Sequence, residues 1–97
     1  MATVQRTVSI VHAQGLHARP AALFVQLAKS FQSRITLKKG RKSVDGKSIM
    51  GLLTLAAKPG SRISLIVEGP DAQDALDRLS RLLTEPLSDI AHQSPHS

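Results

Sequence analysis

Apolar and polar residues alternate in four segments of the chain, and this period of two predicts β-strands. The predicted strands are residues 3–11, 35–38, 43–45 and a segment around 63–67. In the first strand, Arg6 interrupts a face that is otherwise apolar. Between the second and third strands, Lys39-Gly40-Arg41-Lys42 predicts a hairpin turn.

Apolar residues recur at helical spacing in three other segments, which predicts helices at 18–30, 48–56 and from 71 or 72 to 83. The buried stripe predicted for the first helix consists of Ala21, Ala22, Val25, Ala28 and Phe31, widened by Leu23, Phe24 and Leu27. That of the third helix consists of Ala75, Leu76, Leu79, Leu82 and Leu83, with Asp71 and Asp74 near the helix start. The order β-α-β-β-α-β-α predicts an α+β fold, an open-faced sandwich with helices covering one face of an antiparallel sheet.

The length of 97 residues fits one small domain. Residues 86–97 show no periodic pattern, so we predict a domain over 1–85 followed by a flexible tail over 86–97. The chain has no cysteine, no apolar signal region and no run of membrane-spanning length. We therefore expect a cytoplasmic protein without membrane insertion, and nothing in the sequence predicts a cofactor or a metal site.

The net charge of +6 is unevenly distributed, because residues 1–62 hold eleven of the thirteen Lys and Arg and only Asp45 among the acids. A basic surface of this kind attracts anionic partners. Interleaved aromatic residues and known nucleic-acid motifs are absent, so we predict no nucleic-acid binding. An acidic docking surface on a protein partner and a merely solvated basic face both remain open explanations.

One histidine lies where a helix is predicted to begin. Pro20 is tolerated in a first helical turn, which places His17 at or just before the helix N-terminus. Free backbone amides there, with Ala18 and Arg19 first among them, form an anion site that the helix dipole reinforces. The same field keeps the imidazole neutral and nucleophilic, and the Arg19 guanidinium can bind phosphate oxygens. His12 is interpreted as an exposed loop histidine.

Two segments of the chain match a known family. They are Gly15-Leu16-His17-Ala18-Arg19-Pro20-Ala21 and Lys47-Ser48-Ile49-Met50-Gly51-Leu52-Leu53. The first resembles the active-site signature, and the second the regulatory serine segment, of HPr, the histidine-containing phosphocarrier of the bacterial phosphoenolpyruvate-dependent phosphotransferase system. The resemblance implies the strand order 1-4-2-3 and a phosphoryl group carried on His17, taken from enzyme I and passed to a histidine of an enzyme IIA domain or protein.

Ser48 has two interpretations. Serine is a common helix N-cap, and capping alone could explain it. The resemblance implies regulatory phosphorylation by an HPr kinase/phosphorylase, which would place negative charge beside Ile49 and Met50 and weaken docking. We expect a shallow docking surface formed by Ile49, Met50, Leu53 and the exposed part of the first helix, rimmed by basic residues such as Arg19, Lys29 and Lys47.

Three functional hypotheses remain open at this point. The first is a covalent phosphoryl carrier without turnover of its own, acting as a monomer. The second is a carrier of a nitrogen-related regulatory branch. The third is a regulatory binding module controlled by phosphorylation of Ser48, and His17 argues against it because a pure regulator has no need of that residue.

Overall fold

Four strands and three helices follow one another in the computed structural model, which describes residues 2–11, 18–55 and 58–85. The strands are β1 (Ala2–Ser9), β2 (Arg34–Lys39), β3 (Lys42–Asp45) and β4 (Arg62–Gly69). The helices are α1 (Ala18–Lys29), α2 (Ile49–Leu55) and α3 (Ala72–Thr84). The predicted order β-α-β-β-α-β-α is confirmed.

The strands form one antiparallel sheet in the order β1-β4-β2-β3, as the resemblance implied. Its register places Val8 opposite Ile63 across β1 and β4, and Leu37 opposite Leu65 across β2 and β4. These side chains point to the face that the helices cover, because alternate residues of a strand share a face. Among the described residues, β1 and β3 are the edges of the sheet.

The core lies between the sheet and the helices. From α1 the buried residues are Pro20, Ala21, Phe24, Val25 and Ala28. Ala22, which we predicted in the buried stripe, is half-buried instead, because Ala21, Phe24, Val25 and Ala28 already form a complete helical face. From α3 the buried residues are Ala72, Ala75, Leu76, Leu79, Ser80 and Leu83, with Leu82 half-buried.

The bounds of several elements differ from the prediction by one or two residues. The predicted hairpin turn is shorter, because Lys39 and Lys42 pair with each other as residues of β2 and β3. β1 ends at Ser9 rather than Val11 because the next backbone amides bond elsewhere: Ile10 donates to the Ser61 carbonyl at 2.9 Å and Val11 to that of Leu83 at 3.4 Å. α1 ends at Lys29, and the following Ser30 closes the turn by donating from its amide and its hydroxyl to one carbonyl, at 3.0 and 2.6 Å.

The start of α3 is tied to the connection between α1 and β2 by Asp71. Its carboxylate accepts bonds from the Gln32 amide at 2.9 Å, the Ser33 amide at 3.0 Å and the Ser33 hydroxyl at 2.5 Å. The Ser33 hydroxyl, followed by the Gln32 amide, lowers the pKa of Asp71 below its usual value. We predicted Asp71 as a helix-start residue; it occupies the N-cap position but makes no side-chain capping bond.

Four segments of the chain lie outside the described residues: residue 1, residues 12–17, residues 56–57 and residues 86–97. The predicted tail falls in the last of these, so the domain boundary after residue 85 stays a prediction.

Candidate functional site

The first turn of α1 is exposed at Ala18 and Arg19 and buried at Pro20. Pro20 can lie there because the amides of a first helical turn have no intrahelical partner, so its missing N–H costs no bond. Burial of its ring fixes how the helix begins against the core. His17 is the residue immediately before α1 in the sequence and, with His12, lies outside the described residues.

The electrostatics of this turn favour an anion. The backbone amides of Ala18 and Arg19 belong to the positive end of the helix dipole, and the first turn contains no acidic residue. The Arg19 side chain is exposed and has no ion-pair partner within the part of the chain that the structure describes. A guanidinium without an internal partner is available to oxygens of a phosphoryl group.

Ser48 lies directly before α2 and caps it. Its hydroxyl accepts a bond from the Gly51 amide at 3.1 Å, and its carbonyl accepts one from Leu52 at 3.1 Å. The preceding turn is closed by Asp45, whose carbonyl accepts from the Ser48 amide at 3.1 Å and whose carboxylate accepts from the Lys47 amide at 3.0 Å. The capping interpretation of Ser48 therefore describes its structural role.

Lys47 differs from the rim cation that we expected. It is half-buried, and its ammonium donates a 2.8 Å bond to the carbonyl oxygen of Phe31, just beyond α1. A cation is favourable at this position because the unpaired carbonyls at a helix C-terminus carry partial negative charge. Lys47 thus joins the segment before α2 to the end of α1, and its charge is only partly available to a partner.

The expected docking residues form a small patch on α2, which we call the docking patch: Ile49, Met50 and Leu53. Met50 is 71% exposed and Ile49 41% exposed, whereas Leu53 is partly buried against the core. Leu52 and Leu55, on the other side of α2, are fully buried and hold the short helix in place. Exposed apolar side chains next to one another are typical of an interaction surface.

The first turn of α1 and the segment around Ser48 lie at opposite ends of α1, and no hydrogen bond among the described residues joins them directly. Arg19 lies in the first turn of the helix, and Lys47 contacts the backbone just after its last turn. These positions are separated by about the length of the helix, some 18 Å. Lys29, another predicted rim residue, is exposed in the last turn of α1.

Sequence reasoning missed the contacts of Lys47 and Asp71, because each binds a segment distant in the sequence and no local pattern signals such a bond.

The described residues include no group of three or more His, Cys, Asp or Glu placed to hold a metal. No helix among them is long and apolar enough to cross a membrane.

The family model and a similar protein found by comparison both name HPr. Residues 4–85 match the family model described as the PTS HPr component phosphorylation site. The chain is 48% identical over 79 residues to the phosphocarrier protein HPr of Treponema pallidum, covering 81% of this chain and 90% of that protein.

Solved structures of similar proteins have the same fold as this chain. A crystal structure of a phosphocarrier protein HPr from Bacillus anthracis superposes with a TM-score of 0.83 at 45% identity, covering 87% of this chain and all of that one. The crystal structure of Crh from Bacillus subtilis, described as a catabolite repression protein that forms a dimer with a swapped domain, matches with a TM-score of 0.68 at 48% identity. That match covers 82% of this chain and 92% of Crh.

Proposed function

The chain belongs to the HPr family, and from this premise we propose that His17 accepts a phosphoryl group from enzyme I and passes it to a histidine of an enzyme IIA domain or protein. One structural observation carries the proposal. α1 begins at the residue after His17, and its exposed first turn presents backbone amides and the guanidinium of Arg19, which has no ion-pair partner among the described residues. These groups suit phosphoryl oxygens on a neighbouring side chain.

The transfer exchanges one nitrogen–phosphorus bond for another. A nitrogen lone pair of the neutral His17 imidazole attacks the phosphorus of phosphohistidine on enzyme I. As the new bond forms, the old bond breaks and its electron pair returns to the donor imidazole. Such transfers require alignment and stabilisation of the equatorial oxygens, which Arg19 and the first-turn amides supply, with no separate base or cofactor.

The protein is then a carrier without turnover of its own, because the partner's site completes the transfer geometry. The docking patch and the exposed surface of α1 would contact enzyme I and enzyme IIA in turn. The docking patch is small and has a few basic residues around it. Such a surface favours weak, short-lived complexes, which a carrier needs because it must leave one partner before it binds the next. The cytoplasm is the compartment in which we expect this exchange.

Loading of His17 can be tested by intact-mass spectrometry at neutral to mildly alkaline pH, after mixing the protein with phosphoenolpyruvate and a matched enzyme I. The expected result is the mass of a single added phosphoryl group that is lost on acidification. His17→Ala should remove it, whereas His12→Ala, the matched loop histidine, should retain it. Loading that survives in His17→Ala would overturn the assignment.

Ser48 is proposed as a second, regulatory phosphorylation site for an HPr kinase/phosphorylase. A phosphate there would stand beside Ile49 and Met50 and add almost two negative charges at the docking patch. Slower loading by enzyme I is the expected consequence. ATP and such a kinase should modify the wild-type protein and not Ser48→Ala, and the modified protein should load more slowly.

The alternative is a regulatory module that is phosphorylated at Ser48 and never carries a phosphoryl group on His17. The likeness to Crh, whose description names catabolite repression, favours it. Such a module would keep its regulatory activity in His17→Ala and lose it in Ser48→Ala, the reverse of a carrier. A carrier of a nitrogen-related regulatory branch would use the same chemistry at His17. It would differ only in the protein that accepts the phosphoryl group. The expected monomeric state is also a proposal, since Crh forms a dimer.

A further inference from the structure

A groove of about 400 Å³ lies between β1 and α3. Arg6 and Val8 line it from β1, and Ser80 and Thr84 line it from α3. Ser80 is only 4% exposed, and its hydroxyl has no hydrogen-bond partner in the described part of the chain. The groove therefore contains apolar surface together with an unused polar group.

Arg6 brings a positive charge to this groove. It lies on the same face of β1 as Val4, which is partly buried, and Val8, which is buried. The Arg6 guanidinium lies 2.9 Å from the carboxylate of Asp77, and the two side chains are 43% and 51% exposed. A guanidinium carries five N–H donors, so this exposed one can bind a second carboxylate that enters the groove.

The backbone of β1 has an unpaired side next to the groove. Within the described residues β1 pairs with β4 alone, and this pairing extends over its eight residues. A segment that bonds to the other side of β1 would place alternate side chains at the groove, as in recognition by strand addition. The occupant that fits is therefore an extended segment with apolar and acidic side chains at alternate positions.

The end of α3 leads the chain to this edge. The Leu83 carbonyl accepts a 3.4 Å bond from the amide of Val11, just beyond the end of β1. Glu85, which lines the groove, already has an extended backbone, and Pro86 follows it in the sequence. An extended chain that continues from this point and turns back along β1 runs antiparallel to it.

We infer that the edge of β1 and the groove form a docking site for residues 86–93 of the same chain, which add a fifth strand to the sheet. In the register that we propose, Leu87 lies opposite Val8 and Asp89 lies opposite Arg6. Opposite charges in directly paired positions stabilise a sheet. In this register the eight residues 86–93 span the eight residues of β1.

Other registers fit less well. A shift by two residues in either direction would place the Asp89 carboxylate against Val4 or Val8, where it would lose water without gaining a cation. A shift by one residue would turn Leu87 and Asp89 to the open face of the sheet and bring Ile90 to the groove. The alternation of the segment thus favours the register that pairs Asp89 with Arg6.

Leu87→Asp tests the inference in the full chain, because it places a charge in the apolar part of the groove. Ile90→Asp is the matched control, since it makes the same change on the opposite face of the proposed strand. Amide hydrogen exchange should show protection in wild type at those amides of β1 that do not bond to β4. Leu87→Asp should lower this protection at least about tenfold, and Ile90→Asp should leave it close to wild type. The β1 amides that bond to β4 should stay protected in both variants and report an intact fold.

A charge exchange tests the proposed ion pair. Arg6→Asp and Asp89→Arg each bring like charges together and should each lower the protection of the outer β1 amides by about tenfold. The double variant should regain most of it. Arg81→Asp is the control for the exchange, because Arg81 also lines the groove and its replacement should not rescue Asp89→Arg.

Three results would overturn the inference. A free C-terminal segment would leave the outer amides of β1 unprotected in wild type and in every variant. Protection that rises with protein concentration would show that another copy of the chain occupies the edge. A larger loss of protection in Ile90→Asp than in Leu87→Asp would contradict the register.

Discussion

The ammonium of Lys47 donates a 2.8 Å hydrogen bond to the carbonyl oxygen of Phe31, and through it the capped start of α2 is fastened to the end of α1. The docking patch begins two residues after Lys47. The orientation of Ile49 and Met50 relative to α1 thus depends on this bond as well as on the buried side of α2.

Lys47→Met should loosen this attachment, because methionine retains the packing of the long side chain and removes its donor. We expect a loss of about 1 kcal/mol in the free energy of unfolding and faster hydrogen exchange at the Gly51 and Leu52 amides. Lys42→Met is the control, since Lys42 contacts the Thr54 carbonyl at the other end of α2 at 3.4 Å. Equal exchange at these amides in the two variants would argue against the fastening role.

Arg19→Ala should slow phosphoryl loading of His17 by roughly tenfold to a hundredfold, the loss associated with a hydrogen bond to a charged group. Lys29→Ala removes a cation from the last turn of the same helix and should have a much smaller effect. Rapid-quench measurement of loading by enzyme I distinguishes the two variants. If both slow loading equally, Arg19 contributes only to the overall charge.

Met50→Glu should weaken docking, because it places a charge at the most exposed residue of the docking patch. An increase of about tenfold in the KM of enzyme I for the carrier is expected, with a nearly unchanged rate at saturation. Gln73→Glu makes the same change in charge on the exposed face of α3 and should leave KM as it is in wild type. Identical KM values for the two variants would exclude the patch as the contact surface.

Asp71 makes folding stability depend on pH. Its folded-state pKa is lowered chiefly by the Ser33 hydroxyl, so the stabilisation is present above the unfolded-state pKa and is lost as pH falls through the lower folded-state pKa. Urea unfolding from about pH 6 to about pH 3 should show declining stability in wild type and a flatter profile in Asp71→Asn. Asp74→Asn, which alters a neighbouring exposed carboxylate, should follow wild type. Parallel profiles for wild type and Asp71→Asn would contradict this role.

Local patterns predicted most of the fold, because alternation at Ile63, Leu65 and Val67 and helical spacing at Ala75, Leu76 and Leu79 depend only on which face is buried. They could not provide the strand order, which joins segments far apart and came from the family resemblance. The burial of Ser80 was also not predicted, because only apolar residues were assigned to the buried face of the third helix, although the helical spacing from Leu76 and Leu83 places position 80 on that face.

For the same reason, the positions of some residues of the candidate site were predicted and those of others were not. Pro20 marked the start of α1 to the residue, and with it the position of Arg19. The side chain of Lys47 was misjudged because its partner, the Phe31 carbonyl, lies sixteen residues away. A charged residue beside an apolar patch has the same sequence signature whether it faces solvent or binds a distant backbone carbonyl.

Discharge of the loaded carrier tests phosphoryl transfer through His17 most directly. The phosphorylated protein is freed of enzyme I and phosphoenolpyruvate, mixed with an enzyme IIA domain, and the intact masses of both proteins are followed. We expect the carrier to lose its phosphoryl group as the acceptor gains it, and no gain in an acceptor whose histidine is replaced. A phosphoryl group that stays on the carrier, or appears only as inorganic phosphate, would contradict a carrier function.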